Sequence, residues 1–215
     1  MHEELPKSGN RKPMVSLTFD DGPSRYTDHI LDLLEEHGGR ATFFVLGYRV
    51  EGHRSTIQRA HNLGNEIASH SWSHARLAFL YPEEITRELQ STSEAISSVT
   101  GYSPPIMRPP FGQTSERVRT VAAELGYAII NWNLDTLDWR YRDAEKIYNT
   151  IMEKVEDGSF IVMHDIRPTT AEAMEKVIPA LIAKGYELVT VSELLAYFYG
   201  DLEPGKIYGR QFEIE

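Results

Sequence analysis

Met14-Val15-Ser16-Leu17-Thr18-Phe19-Asp20-Asp21-Gly22-Pro23 is the stretch from which the rest of the chain is read. Met14–Phe19 is a short apolar and aromatic run, predicted as a strand, and it stops at two adjacent carboxylates followed by a Gly-Pro turn. Neighbouring residues of extended chain project to opposite sides, so one carboxylate can hold a metal while the other faces a different group. The ordinary alternative is an Asp-Gly turn that caps the next helix.

Outward from this stretch the same alternation recurs. Six further runs read as strands: Ala41–Leu46, Glu66–His70, Ile106–Pro109, Tyr127–Trp132, Phe160–His164 and Glu187–Val191. Helix-period stretches lie between them over Thr27–His37, Ser55–Leu63, Pro82–Val99, Thr114–Leu125, Asp143–Val155 and Thr170–Lys184, with glycines such as Gly64, Gly126 and Gly185 just beyond. Strand–helix alternation implies parallel strands joined by right-handed crossovers, in an open doubly wound sheet or a closed barrel. About seven parallel strands in 215 residues favour a small α/β barrel. One domain is expected over residues 14–199, after a polar stub at 1–13 and before a tail at 200–215.

Composition narrows the function. The chain has 22 Lys and Arg against 32 Asp and Glu, a net charge of −10, and no cysteine, which excludes disulfides and thiolate metal ligands. That acidity argues against nucleic acid as a partner, and more weakly against an anionic wall polymer unless cations bridge the two. No run of about 18 apolar residues is present to span a bilayer, and MHEELPKSGNRKP has no apolar signal-peptide core. No protein partner is inferred.

The remaining polar residues of note fall at predicted carboxyl ends of strands, all on one face of such a fold. His70-Ser71-Trp72-Ser73-His74 spaces two imidazoles by one helical turn, so that both reach one ion; with Asp21 they make a half-open ligand set suited to zinc or to non-haem iron. Trp72 reads as core packing. Arg108 precedes Pro109-Pro110-Phe111-Gly112, where the first free backbone donors are those of Phe111 and Gly112; a structural salt bridge is its plain alternative. Asp135, Asp138 and Trp139, then His164 and Asp165, complete the set, with a carboxylate near a histidine fitting general-acid work. The other histidines, His2, His29, His37, His53 and His61, read as solvated.

Taken in order, TFDDGP (18–23), HSWSH (70–74), RPPFG (108–112), DTLDW (135–139) and IVMHD (161–165) resemble the five motifs of the NodB-homology polysaccharide deacetylases, carbohydrate esterase family 4. The resemblance covers roughly Met14 to Val191 and implies a distorted (β/α) barrel of fewer than eight strands. It implies a divalent metal, usually zinc with cobalt or another divalent ion as alternatives, on Asp21, His70 and His74. It implies Asp20 as general base held by Arg108, His164 as general acid oriented by Asp138, the Phe111 N–H beside the oxyanion, and Trp139 and Ile166 around the acetyl methyl. Phe111 stands where tyrosine is frequent and Ser71 where threonine is frequent. Asp135 carries no implied role beyond loop structure.

The implied activity is removal of acetyl groups from N-acetylglucosamine units of peptidoglycan or chitin-type glycans, with the enzyme secreted or at the cell surface because its substrate is. Three alternatives stand beside it: an O-acetyl esterase on acetylated xylan, a silent carbohydrate-binding barrel, and an iron oxygenase. The last two leave the Asp20 and His164 pair without a task.

Overall fold

The computed structural model describes residues 11–213; the first ten residues of the expected stub and the last two of the expected tail lie outside the described residues. The strands are β1 Met14–Asp20, β2 Thr42–Val45, β3 Glu66–Ser69, β4 Ile106–Met107, β5 Gln113–Thr114, β6 Ala128–Ile130, β7 Leu134–Asp135, β8 Ser159–His164, β9 Glu187–Leu188, β10 Ile207–Tyr208 and β11 Phe212–Glu213. The helices are α1 Thr27–Glu36, α2 Gly47–Val50, α3 Arg54–Asn62, α4 Pro82–Thr100, α5 Glu116–Glu124, α6 Asp138–Tyr141, α7 Ala144–Lys154, α8 Pro168–Ala183 and α9 Val191–Tyr199.

Nine strands form one parallel sheet in the order β10-β6-β4-β3-β2-β1-β8-β7, with β9 also on β1; β5 and β11 pair separately. This is the expected α/β barrel, with nine strands in its sheet where about seven were expected, because short pairings such as β7 and β10 join it; it is distorted because its ends, β10 and β7, are joined by no ladder among the described residues. The gap is bridged by the chain itself. Asn131 N–H donates to Tyr208 O at 2.9 Å on one side, and Asn133 N–H to Phe160 O at 3.2 Å on the other.

Strand alternation sorts the core into layers. Val15, Leu17 and Phe19 of β1 and Ile161 and Met163 of β8 pack outward against Ile30, Leu34, Val177 and Ile178 of the helices. Met14, Phe44, Ala68, Ile106, Ile130, Phe160 and Val162 fill the interior. Complete burial of side chains of this size stabilises the fold by roughly 1.5–3 kcal/mol each. The even-numbered positions that point inward continue at the strand ends into His70, Arg108 and His164, and β1 and β8 are in register with Asp20 opposite His164. The alternation that builds the core therefore also delivers the polar groups to one end of the barrel.

Three expectations are revised. The run to Val191 is a strand only over Glu187–Leu188; Thr190 caps α9 in a reciprocal box with Glu193, and Val191, Leu194 and Leu195 close the interior cluster. The apolar run hides this boundary because buried strand and buried helix look alike at that length. The segment beyond residue 199 adds β10 to the sheet edge. Of the stub, Arg11 pairs with Asp157 at 3.0 Å and stacks its guanidinium 4.3 Å over Tyr197.

Candidate active site

Asp20 ends β1 and is buried, and its Oδ1 accepts from Arg108 Nη1 at 2.7 Å. Arg108 has no exposed surface, and each of its three nitrogens donates: Nε to Ile130 O at 3.0 Å, Nη1 also to Thr18 Oγ1 at 2.7 Å, and Nη2 to Asn131 O at 2.6 Å. Its guanidinium lies 4.1 Å over the Phe44 ring. Burial pushes the Arg108 pKa down while the Asp20 charge pulls it up. A cation this deep is held by four hydrogen bonds and one paired charge, and this leaves Asp20 with one oxygen fixed by Arg108 and the other without a hydrogen bond.

The chain turns at Asp21 into the left-handed region, φ 73°, so the two carboxylates diverge through a kink and not through simple strand alternation. Gly22 follows because it must: a Cβ there would lie 2.3 Å from both carboxylate oxygens of Asp165. Asp165, wholly buried, also accepts from the Thr27 hydroxyl. Its carboxyl is pushed up to about 7 by burial, with the charges of Asp21 and Asp20 adding to the shift against the Thr27 bond.

Asp21 Oδ1 lies 3.5 Å from His70 Nε2 and 3.2 Å from His74 Nε2, is buried, and has no hydrogen-bond partner. His70 Nδ1 is 2.8 Å from the Arg108 carbonyl, which only accepts, so this nitrogen carries the proton and Nε2 faces Asp21 with its lone pair. Lone pairs thus converge on one point, an arrangement that a cation satisfies and an empty interior does not. One donor atom from each of the three residues lies within 4.8 Å of the others, so the set fits a divalent ion. Burial alone would raise the Asp21 carboxyl, but the nearness of the His70, His164 and His74 imidazoles, each able to carry positive charge, holds it well below the usual carboxylate range.

The two histidines do not sit on a helical turn. Residues 70–74 are a loop bracketed by Ser71 and His74 at φ 68° and 62°, conformations that cost roughly 1–3 kcal/mol each and persist only where the surroundings impose them. Glu88, on α4, is that surrounding: Oε2 accepts from Trp72 N–H and Ser73 N–H, both at 2.8 Å, and Oε1 from Ser73 Oγ at 2.7 Å. Glu88 was not legible in the sequence because it occupies an unremarkable polar position of an amphipathic helix. Trp72 is not core; it is 38% exposed and lies against Gly47, where a Cβ would meet its ring at 2.5 Å.

Across the mouth, His164 Nδ1 bonds Asp138 Oδ1 at 2.8 Å. Asp138 is completely buried and takes three further bonds, from Trp139 N–H at 2.8 Å, His164 N–H at 2.8 Å and Thr170 Oγ1 at 2.7 Å. Burial pulls the His164 pKa down, but the hydrogen bond and charge of Asp138, with Asp20 and Asp21, overcome it and push the group up to about 9. Thr170 is the second contributor that the sequence did not disclose, lying on α8, 32 residues beyond its partner. Asp135 does what was expected of it, its Oδ1 accepting from Leu137 N–H at 2.8 Å in a turn.

Phe111 adopts φ 63°, its ring 4.7 Å from the His74 ring and under the Arg76 guanidinium at 4.6 Å. The Gly112 N–H is committed to Pro109 O at 2.9 Å, so of the two expected donors only Phe111 remains for a ligand. Trp139 is 49% exposed and Ile166 half-buried, each beside the His164–Asp138 pair. A separate cavity of about 250 Å³, bordered by His61, Glu66, Tyr102 and Glu193, opens at the amino-terminal end of the strands, away from this cluster.

Comparison with known proteins points the same way. The family model described as polysaccharide deacetylase matches residues 7–130. A peptidoglycan-N-acetylglucosamine deacetylase of Listeria monocytogenes is 40% identical over 207 residues, which are 95% of this chain and 43% of that protein, so the chain spans less than half of that relative's length. Among solved structures, a T48 deacetylase with substrate superposes with a TM-score of 0.86 at 38% identity, over 92% of this chain and 96% of the other. A family 4 acetyl xylan esterase from Clostridium thermocellum in complex with a cobalt ion gives 0.85 at 33%, over 91% and 98%.

Proposed function

The chain belongs to the polysaccharide deacetylase family, and from that premise we propose that it hydrolyses acetyl groups from N-acetylglucosamine units of peptidoglycan or chitin-type glycans, outside the cytoplasm where these polymers lie. The observation that carries the reading is the unpartnered Asp21 Oδ1 between two imidazole Nε2 atoms, flanked on one side by the Asp20–Arg108 pair and on the other by His164–Asp138. Asp21, His70 and His74 would hold a divalent ion, most simply zinc. Such an ion supplies Lewis acidity, polarising a carbonyl and making water easier to deprotonate.

The chain's own groups then divide the proton work. Asp20 has Oδ1 tied to Arg108, so its Oδ2 is the base that removes a proton from the attacking water. Addition of that water to the acetyl carbon places negative charge on the carbonyl oxygen, within the field of the Phe111 N–H. His164 keeps its proton because Asp138 stabilises the imidazolium, and Nε2 delivers it to the nitrogen as the C–N bond breaks, releasing acetate and an amine. Trp139 and Ile166 line the space for the acetyl methyl.

Zinc-loaded protein given an equal mixture of chito-oligosaccharides and acetylated xylo-oligosaccharides, with products read by mass spectrometry, tests the reading. Loss of acetyl from the chito series is expected. Loss from the xylo series alone would replace it with an O-acetyl esterase, the reading that the likeness to an acetyl xylan esterase supports.

A further inference from the structure

Phe111 and Gly112 both stand in the left-handed region, at φ 63° and 67°, and the Phe111 ring is 47% exposed, so burial of its own side chain does not hold the turn that presents the Phe111 N–H. A residue other than glycine keeps such a conformation only where its surroundings impose it. Two restraints act at the exit of the turn. The Gly112 carbonyl accepts from Asn131 Nδ2 at 3.1 Å, and the next two residues form β5, whose partner is β11, in parallel register with Phe212 opposite Gln113. Both restraints lead to the segment that follows α9.

Main-chain bonds lay that segment along the barrel edge. Ile129 N–H donates to Lys206 O, Asn131 N–H to Tyr208 O and Arg210 N–H to Trp132 O, each at 2.9 Å, and the chain then crosses to β5. Gly209 permits so close an approach: its φ is 96°, and a Cβ there would lie 2.8 Å from Trp132 N and 2.9 Å from Trp132 O.

Asn131 joins the segment to the turn. It is fully buried, and its Nδ2 donates to Arg210 O at 2.6 Å as well as to Gly112 O. Both partners are carbonyls, which only accept, and an amide NH2 has the two protons that two acceptors need. The Asn131 carbonyl in turn accepts from Arg108 Nη2 at 2.6 Å, so the same residue touches the cation that fixes Asp20. Asn131 and residues 200–213 lie outside the five motifs, and beyond the residues 7–130 that the family model matches.

We infer that residues 200–213 form a strap that sets the Phe111 N–H in place, and that Asn131 is the positioning residue through which the strap acts. The inference rests on the reading under Proposed function, whose oxyanion donor it supports. Such a donor is worth most when it is placed before the reaction and does not shift during it. Misplacement by about 1 Å, caused by a change away from the reacting groups, can cost about 10²-fold.

The test uses the full zinc-loaded chain on chito-oligosaccharides. Asn131→Ala keeps the main-chain bonds of residue 131 and removes Nδ2; it should lower kcat by about 10²-fold with KM unchanged, and with zinc affinity, read by chelator competition, unchanged. Amide and activated acetate ester should slow alike, because both pass through the same oxyanion. Affinity for a methylphosphonamidate analogue of the acetylated sugar, whose tetrahedral oxygen takes the place of the oxyanion, should fall by the same factor as kcat/KM. A mere loss of folded protein would lower kcat and leave that affinity where it was. Gly209→Ala, which displaces the strap from outside, should act in the same direction, and the double variant should cost little more than Asn131→Ala alone because both work through one turn. If Asn131→Ala does not fold, Gly209→Ala decides by the same readouts. Unchanged kcat, a lower kcat with unchanged analogue affinity, or a loss of zinc that accounts for the fall would overturn the inference, while acetyl release by the parent left the proposed function standing. No acetyl release by the parent would overturn that function, and the inference with it.

Discussion

The two sides of the barrel mouth are built on opposite plans. On the His164 side, Asp138 has four hydrogen bonds and the imidazole one, and the pair is complete as it stands. On the Asp21 side, a carboxylate oxygen and two imidazole nitrogens face one another with no donor between them, on a loop with two left-handed residues. One half is satisfied by protein alone and the other is designed around something added. The difference teaches where each half is vulnerable: the acid side through the partners of one buried carboxylate, the ligand side through whatever keeps the loop in shape.

Asp20→Asn is the sharpest way to break the division. Turnover should fall by about 10²–10⁴-fold, the usual worth of a general base, while metal analysis still finds near one ion per chain. Loss of the ion in that variant would make Asp20 a ligand and exchange the two aspartates. The complementary experiment removes one side at a time: Asp21→Asn should abolish the rise in melting temperature that zinc produces, and His164→Ala should retain it.

Next in size is the acid side. His164→Ala should slow amide substrates more than activated acetate esters, whose leaving groups need no proton; equal slowing would count against the acid. Asp138→Asn should move the alkaline limb of the rate profile to lower pH. The acid must be protonated to act, so activity is lost as pH rises through its pKa, and removing the carboxylate that holds that pKa up lowers it.

A smaller effect is expected from Glu88→Ala. Zinc affinity, measured by chelator competition, should weaken by about 10–100-fold, the usual effect of removing the support of a ligand, and Glu88→Gln should recover part of it because an amide oxygen still accepts the two N–H groups. Unchanged affinity in both would show that the loop holds its shape without α4. Smallest is the effect of Asp165→Asn. A carboxyl whose folded pKa is raised from 3.8 to about 7 adds stability that is present below pH 4 and is lost as pH rises through 7. The melting temperature of the variant should therefore fall less than that of the parent between pH 5 and 8.

Much of this site is legible in the sequence because strand alternation is local. Thr18, Asp20, Arg108 and His164 lie on the inward side of their strands for the same reason that Met14, Ile106 and Phe160 do. The rest was hidden where a residue acts on another far along the chain. Nothing near Glu88 marks it as the holder of residues 72 and 73, and nothing near Thr170 marks it as a partner of Asp138. Local pattern also misled where geometry departs from the average, at the HSWSH loop that is not helical and at the Thr190–Glu193 box that starts a helix inside an apparent strand.

By itself the sequence determined the strand–helix rhythm, the inward and outward parity of each strand, and the identity and order of the groups at the strand ends, since these depend on neighbours a few residues apart. Only the tertiary structure decided which groups meet: the register that sets Asp20 opposite His164, the four acceptors that surround Arg108, and the carboxylate of Glu88 beneath the ligand loop. Hydrogen bonds and charge depend on distance in space, and a parallel barrel brings together residues that the chain keeps dozens of positions apart.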